Sequence, residues 1–159
     1  MLQFQIFITN IAGPEIMFIL LVLFSIFLYV KNYKKDFYKI LFTSTTAMFG
    51  TLILKTLLKI PRPEHMLIAE TGYGFPSGHA TMAGVIMSLG IYYSHTHIKN
   101  RPVRYFLYII SIYWYLIVSY SRLYLQVHRP IDVIAGGVIG IVSTIVVFKI
   151  FKHLHYYNK

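Results

Sequence analysis

The sequence predicts an all-α fold: a polytopic bundle of about five transmembrane helices, preceded by an N-terminal helix that lies at the membrane interface. The chain of 159 residues is 57% hydrophobic and only 13% charged, whereas a soluble domain carries about 25% charged residues. Long apolar runs alternate with short polar or basic segments. Aromatic residues make up 17% of the chain and include 14 Tyr, which suits side chains that anchor helices where hydrocarbon meets water.

Each element follows from this pattern in chain order. Residues 1–13 are apolar with scattered Gln, Thr and Asn, too short and too polar to span a bilayer, and are therefore predicted as the interfacial helix. Pro14 suits the start of the first span, where the carboxylate of Glu15 can reach water. The predicted spans cover residues 14–30, 40–58, 79–94, 105–120 and 131–151. Because no repeat, linker or low-complexity segment interrupts them, residues 1–159 are predicted to form one domain.

Small residues indicate where the predicted helices pack closely. The third span is rich in Gly, Ala and Ser. In the fifth span, Gly136 and Gly140 have GxxxG spacing, which favours close packing of helix backbones rather than nucleotide binding.

Basic residues are distributed unevenly between the two sides of the predicted bundle. The formal net charge is +10, with 15 Lys and Arg. Ten of them, Lys159 included, fall in the loops 31–39 and 95–104 or after residue 148, which predicts that this side is cytoplasmic. The remaining five lie on the opposite side, where basic residues should be scarce: Lys55, Lys59, Arg62, Arg122 and Arg129. A bound anion would explain them.

The composition also excludes several classes of function. So many basic residues in so apolar a chain point to membrane topology and anionic lipid rather than to nucleic acid. The sequence has no cysteine, which excludes a disulfide framework, a thiolate nucleophile and a cysteine metal site.

The most informative stretch is residues 121–132, SRLYLQVHRPID. His128 and Asp132 are four residues apart, so their side chains can meet on one face of a helical turn. An imidazole held by a carboxylate has a fixed tautomer and suits a base or a nucleophile. The alternative is structural: Pro130 fits the first position of a helix, and Asp132 would then simply favour its N-terminus.

Two further segments are predicted at the same end of the bundle. Residues 55–63, KTLLKIPRP, provide Lys55 and Arg62, and residues 76–79, PSGH, open the third span with Ser77 as a predicted N-cap. Arginine binds phosphate bidentately and lysine acts as a point charge, while a helix N-terminus favours anions. Gly78 would let backbone approach the anion. His79 and His128 then suggest two roles, one attacking and one exchanging protons with the leaving group.

These three segments resemble the signature of the type 2 phosphatidic acid phosphatase family of integral-membrane lipid phosphatases, Kx6RP, then PSGH, then SRx5Hx3D. The matching positions are Lys55, Arg62 and Pro63; Pro76, Ser77, Gly78 and His79; and Ser121, Arg122, His128 and Asp132.

The resemblance implies a mechanism. His128 would be the nucleophile that forms a phosphohistidine, oriented by Asp132, and His79 would protonate the leaving lipid oxygen and later activate water. The phosphoryl oxygens would be held by Lys55, Arg62, Ser77, Gly78 and Arg122. No metal or cofactor is expected, and the substrate would be a lipid phosphate: phosphatidic acid, phosphatidylglycerophosphate, a polyprenyl diphosphate or lipid A. The distribution of basic residues predicts that the site is on the extracytoplasmic side. Five tightly packed spans without cysteine suit a bacterial plasma membrane. Two alternatives stay open, a lipid-to-lipid phosphotransferase and a catalytically silent lipid-binding protein.

In one respect the chain departs from the family, whose typical members have six spans. The span that normally precedes the first one is expected to be missing here, with residues 1–13 in its place, and the oligomeric state is left open.

Two groups of residues outside the signature are expected to have no part in the chemistry. The HxH pairs His95 with His97 and His153 with His155 lack acidic or thiolate partners and are not predicted to bind metal. The outer loop is predicted to be solvated, including Glu64, His65, Glu70 and Tyr73.

Overall fold

The computed structural model describes residues 1–157, with side chains up to Leu154, as an all-helical bundle, which confirms the predicted fold class. Lys159 lies outside the described residues, as does the side chain of His155. The six helices are α1 (Leu2–Ile11), α2 (Pro14–Val30), α3 (Lys34–Leu58), α4 (Gly78–His97), α5 (Arg101–Tyr124) and α6 (Pro130–Tyr157).

Five helices lie where five spans were predicted, but fewer are long and apolar enough to cross a membrane. Helices α3, α5 and α6 meet both conditions, and α1 with α2, bent by 42° at their junction, count as a fourth if they form one broken span. The remaining helix, α4, is long enough with 20 residues, but Gly, Ser, Thr and His lower its hydropathy. It can carry these residues because it packs against α2, α3, α5 and α6.

Helix α1 packs on α5 through a polar face. Gln5 and Thr9 are buried there together with Ile8. Since residues four apart lie on the same side of a helix, the two polar side chains point together into the bundle. Whether α1 lies at the membrane interface stays a prediction, but its packing carries Thr9 to the end of the bundle where the signature residues converge.

Close packing of α4 against α6 sets the relative height of the two predicted catalytic segments. A Cβ placed on Gly136 would lie 2.5 Å from the carbonyl oxygen of Ser77, and one on Gly140 would lie 2.5 Å from that of Thr81. The GxxxG prediction is therefore correct, because any larger residue would push the helices apart. At the top of this contact the amide of Ser77 donates to the carbonyl of Asp132 at 2.9 Å, which joins the start of α4 to the start of α6.

The loop between α3 and α4 folds back over the same end of the bundle. Lys59 ends α3 in the left-handed conformation, at φ 48°. The amide of Gly74 donates to the carbonyl of Ile60, and that of Leu67 to the carbonyl of Leu125 just beyond α5. These bonds hold residues 59–77 against the α5–α6 connection.

Candidate active site

The structure brings the three predicted segments together at one end of the bundle. Lys55 stands in the last turn of α3, Arg62 in the following loop, His79 in the first turn of α4, Arg122 in the last turn of α5, and Asp132 in the first turn of α6. His128 lies in the connection between α5 and α6.

The His128 imidazole has one nitrogen facing a carboxylate and the other facing an arginine. Its Nδ1 lies 3.4 Å from Oδ2 of Asp132, and its Nε2 lies 3.2 Å from Nη1 of Arg62. Because a guanidinium only donates, Nε2 must carry the lone pair and Nδ1 the proton. The side chain is 4% exposed. Burial, with the charges of Arg122 and Arg62, lowers the pKa of His128 to about 2, which keeps the imidazole neutral with its lone pair on Nε2.

Asp132 caps α6 and also faces His128. Its Oδ2 accepts a hydrogen bond of 2.8 Å from the backbone amide of Arg129, the residue before α6. This is the reach of a third-position acidic residue back to the helix start. The same oxygen faces Nδ1 of His128 at 3.4 Å, longer than a hydrogen bond but close enough for the carboxylate to favour a proton on Nδ1. The helix cap is thus established by the structure, and the role of Asp132 as orienter of His128 stays a prediction.

The second histidine faces a carbonyl from α1. Nε2 of His79 lies 3.2 Å from the backbone oxygen of Thr9 and 3.4 Å from Nη1 of Arg122. A carbonyl only accepts and a guanidinium only donates, so the two contacts favour opposite states of Nε2, and the shorter one, to Thr9, favours a proton on it. The Thr9 hydroxyl in turn accepts a hydrogen bond from Nη1 of Arg122. Thr9 therefore contacts both His79 and Arg122.

The cations of the site are held by loop carbonyls and by one carboxylate. Lys55 donates to the carbonyl of Tyr73 at 2.5 Å. Arg62 donates to the carbonyl of Thr71 through Nε at 3.2 Å and Nη2 at 3.1 Å, and to that of Val127 through Nη1 at 3.1 Å. Arg122 is fully buried, and its Nε has no hydrogen-bond partner among the described residues.

Glu70 bridges the two arginines. Its Oε1 lies 2.5 Å from Nη2 of Arg122, and its Oε2 lies 3.4 Å from Nη2 of Arg62. The prediction that Glu70 belongs to a solvated loop is therefore wrong, because two guanidinium groups attract the carboxylate out of solvent and leave its side chain only 24% exposed. Tyr73, from the same predicted loop, also reaches the site, through its carbonyl.

Ser77 caps α4 as predicted. It is fully buried, and its Oγ accepts from the amide of Ala80 at 3.5 Å. A Cβ on Gly78 would meet Pro14 at an ordinary 3.5 Å. Because the Ser77 amide already donates to Asp132, the contribution of Ser77 and Gly78 to anion binding stays a prediction.

Sequence reasoning missed Thr9 and Glu70, although each left a signal. Gln5 and Thr9 form a polar pair at i, i+4 in an otherwise apolar segment, and only five acidic residues occur in the chain. An acidic residue in so basic a chain, six positions before PSGH, was a reason to look for a cationic partner.

The HxH pair His95 and His97 lies away from this site and faces aromatic groups. Nδ1 of His95 lies 2.9 Å from the Tyr108 hydroxyl, and the His97 ring stacks on Tyr93 at 5.8 Å between centroids. Within the described part of the chain, no group of three His, Cys, Asp or Glu side chains could hold a metal ion.

The chain is similar to known proteins both in sequence and in fold. A family model described as the PAP2 superfamily matches residues 36–156. The chain is 39% identical over 85 residues to an undecaprenyl-diphosphatase of Sulfolobus acidocaldarius, a match covering 54% of this chain and 34% of that protein. The chain thus spans about a third of the length of this curated relative.

Two solved structures share the fold. The transmembrane PAP2 type phosphatidylglycerolphosphate phosphatase from Bacillus subtilis superposes with a TM-score of 0.80 at 22% identity, over 96% of this chain and 77% of that one. Aquifex aeolicus LpxE superposes with a TM-score of 0.72 at 25% identity, over 93% and 85% of the two chains. Since the family match runs from the first turn of α3 into the last turns of α6 and includes every signature residue, the chain belongs to the PAP2 superfamily.

Proposed function

We propose that this protein is a lipid phosphatase that removes a phosphate group through a phosphohistidine on His128. The observation that carries the proposal is the state of the His128 ring: Nε2 presents a lone pair beside Arg62, while Nδ1–H faces Asp132. A neutral imidazole with its unprotonated nitrogen among fixed cations is arranged for attack on a phosphoryl group, because the same cations stabilise the charge that develops on the phosphoryl oxygens.

The phosphoryl group is proposed to take the place that the Glu70 carboxylate now occupies. Carboxylate and phosphate can each accept two parallel hydrogen bonds from a guanidinium, and Glu70 already joins Arg62 to Arg122. Lys55 supplies a third charge from the end of α3. Glu70 must therefore swing aside when substrate enters, and it keeps the buried Arg122 paired while the site is empty.

The reaction then proceeds in two balanced steps. Nε2 of His128 attacks phosphorus and the bond from phosphorus to the lipid oxygen breaks, while His79, protonated beside the negative charge of the bound phosphate, gives its proton to that oxygen. In the second step neutral His79 takes a proton from water, the resulting hydroxide attacks phosphorus, and the P–N bond breaks. Inorganic phosphate leaves and the lone pair returns to His128. Each role is of the kind that positioned acid–base groups perform.

The proposed substrate is a lipid carrying a phosphate or diphosphate. The names of the relatives point to polyprenyl diphosphate and phosphatidylglycerolphosphate, and helices α3, α5 and α6 are apolar enough to hold the site at a bilayer surface. Substrate would enter sideways from the bilayer. The excess of basic residues at the opposite end supports an extracytoplasmic site, in a bacterial plasma membrane.

A phosphate-release panel tests the proposal. Purified protein in detergent is given phosphatidic acid, phosphatidylglycerophosphate, undecaprenyl diphosphate and lipid A, with His128→Gln as the matched control. We expect phosphate release from at least one lipid, unaffected by a metal chelator and lost in the variant. A newly phosphorylated lipid in place of free phosphate would indicate a phosphotransferase. Turnover of no lipid by well-folded protein would favour a silent lipid-binding protein.

A further inference from the structure

A cavity lies at the other end of the bundle from the site just described. Its volume is about 1130 Å³, and helices α4 and α6 form most of its wall, with Tyr108 of α5 on one side. The cavity reaches Lys149, which follows Asp132 along α6 by 17 residues, or about 25 Å at 1.5 Å per residue. This distance separates it from the catalytic residues by most of the thickness of a bilayer.

The wall and the rim of this cavity have different chemistry. The wall is apolar, with residues such as Ile91, Ile141 and Ile145. The rim carries Lys39 of α3 and two lysines of the last turns of α6, Lys149 and Lys152. An apolar trough that ends in a row of cations matches a molecule with hydrocarbon chains and an anionic head.

Lys39 shows how the rim meets the wall. Its Nζ lies 5.5 Å from the centroid of the Tyr92 ring and 5.2 Å from that of Phe148, so the ammonium sits directly above the aromatic end of the trough. Asp36 pairs with this lysine at 3.4 Å. Lys149 and Lys152 are exposed, and among the described residues that line the cavity none is acidic. The rim therefore keeps an excess of positive charge.

The rim also offers a neutral polar pair. The Tyr108 hydroxyl and Nδ1 of His95 lie 2.9 Å apart across the α4–α5 side of the cavity. A hydroxyl and an imidazole at this position can bond to the phosphodiester or glycerol oxygens of a head group that the lysines hold.

We propose that this cavity is a binding site for a two-chain anionic phospholipid, of the phosphatidylglycerol kind, in the leaflet opposite the active site. The chains would lie along Ile141 and Ile145 and the phosphodiester between Lys149 and Lys152. Basic pockets between helices recognise anionic head groups in this way. This site is separate from the proposed catalytic one, and its lipid is not turned over.

The test is native mass spectrometry of the full chain in detergent, titrated with phosphatidylglycerol or with phosphatidylethanolamine of the same chains. We expect the protein to retain one phosphatidylglycerol about tenfold more tightly than phosphatidylethanolamine. Lys149→Gln with Lys152→Gln should abolish that preference. The matched control is Lys31→Gln with Lys34→Gln, which removes the same charge from the same end of the bundle. These two lysines lie over the rings of Phe27 and Tyr29 rather than at the rim of the cavity, so this variant should keep the preference.

Three results would overturn the proposal. Equal retention of the two lipids would show that the head group is not recognised. An equal loss in both double variants would show diffuse attraction rather than a site. Displacement of the lipid by inorganic phosphate or glycerol phosphate at the same concentration would show an anion site without a role for the chains. The unfolding midpoint of each variant, compared with that of the unaltered protein, establishes that a loss of binding is not a loss of fold.

Discussion

Replacing Asp132 by asparagine removes the negative charge beside His128 and keeps an acceptor for the helix start. The asparagine carbonyl can still accept the amide of Arg129, now bonded at 2.8 Å. Because the same oxygen position faces Nδ1 of His128 at 3.4 Å, the amide keeps an acceptor there but not a charge. A neutral amide favours the proton on Nδ1 less than a carboxylate does, and it does not stabilise the positive charge that the ring gains when Nε2 attacks phosphorus.

The expected magnitude follows from this loss of charge. In the comparable serine protease triad, the same change behind the catalytic histidine lowers kcat about 10⁴-fold, or about 5.4 kcal/mol in activation free energy, and this is the upper bound expected here. Stability should change little, because the cap persists. Asp132→Ala should lose the same activity and also about 1 kcal/mol of stability, because it removes the cap.

The assay pairs kcat for phosphate release with the unfolding midpoint of each variant in the same detergent. Asp36→Asn, which alters a carboxylate that pairs with Lys39 at the other end of the bundle, is the matched control and should keep full kcat. If Asp132→Asn retains kcat within tenfold of the unaltered protein, Asp132 is a helix cap only and its charge has no role at His128.

Three further predictions concern the partners of the site. Glu70→Gln should tighten inhibition by inorganic phosphate several-fold, because a neutral amide competes less for Arg122. It should also lower the unfolding midpoint, because a buried guanidinium loses its charged partner. Weaker phosphate binding would contradict the proposed exchange of carboxylate for substrate. Thr9→Val leaves Nη1 of Arg122 without the hydroxyl and should lower kcat about tenfold and the free energy of unfolding by about 1–3 kcal/mol. Thr9→Ser keeps the hydroxyl and should keep both values. Equal effects of the two variants would show that only the shape of Thr9 matters. Because the pKa of His128 is lower in the folded chain than the unfolded value of about 6.5, the unfolded state binds more protons below pH 6.5, so the free energy of unfolding should fall as pH falls from 6.5. His128→Gln should reduce that slope by up to about 1.4 kcal/mol per pH unit, and an unchanged slope would mean that His128 titrates normally in the folded protein.

The parts of the site that sequence could predict are those set by local spacing. His128 and Asp132 are held by one connection and the helix turn after it, and Ser77 caps the helix that carries His79. Such relations are fixed within a few residues, so periodicity and capping rules reach them. The glycine pair of α6 was also predictable, because GxxxG has few other uses in an apolar helix.

The parts that sequence could not predict depend on packing between distant segments. Glu70 lies in a loop with no regular structure, and only the fold shows that two guanidinium groups from elsewhere surround it. Thr9 reaches Arg122 across 113 positions, because α1 packs on α5. For a related reason, fewer helices are apolar enough to cross a membrane than the five spans predicted from the sequence. Helix α4 lies inside the bundle, so contact with other helices, rather than contact with lipid, determines its composition.

The central claim is that phosphate passes through His128, and trapping that intermediate tests it most directly. Protein is mixed with a lipid whose phosphate is radiolabelled and quenched in alkali within one turnover, because a phosphohistidine survives base and is lost in acid. The account predicts label on the peptide that contains His128, labile in acid and absent from His128→Gln, which also releases no phosphate. Label on His79, or continued turnover by His128→Gln, would contradict it.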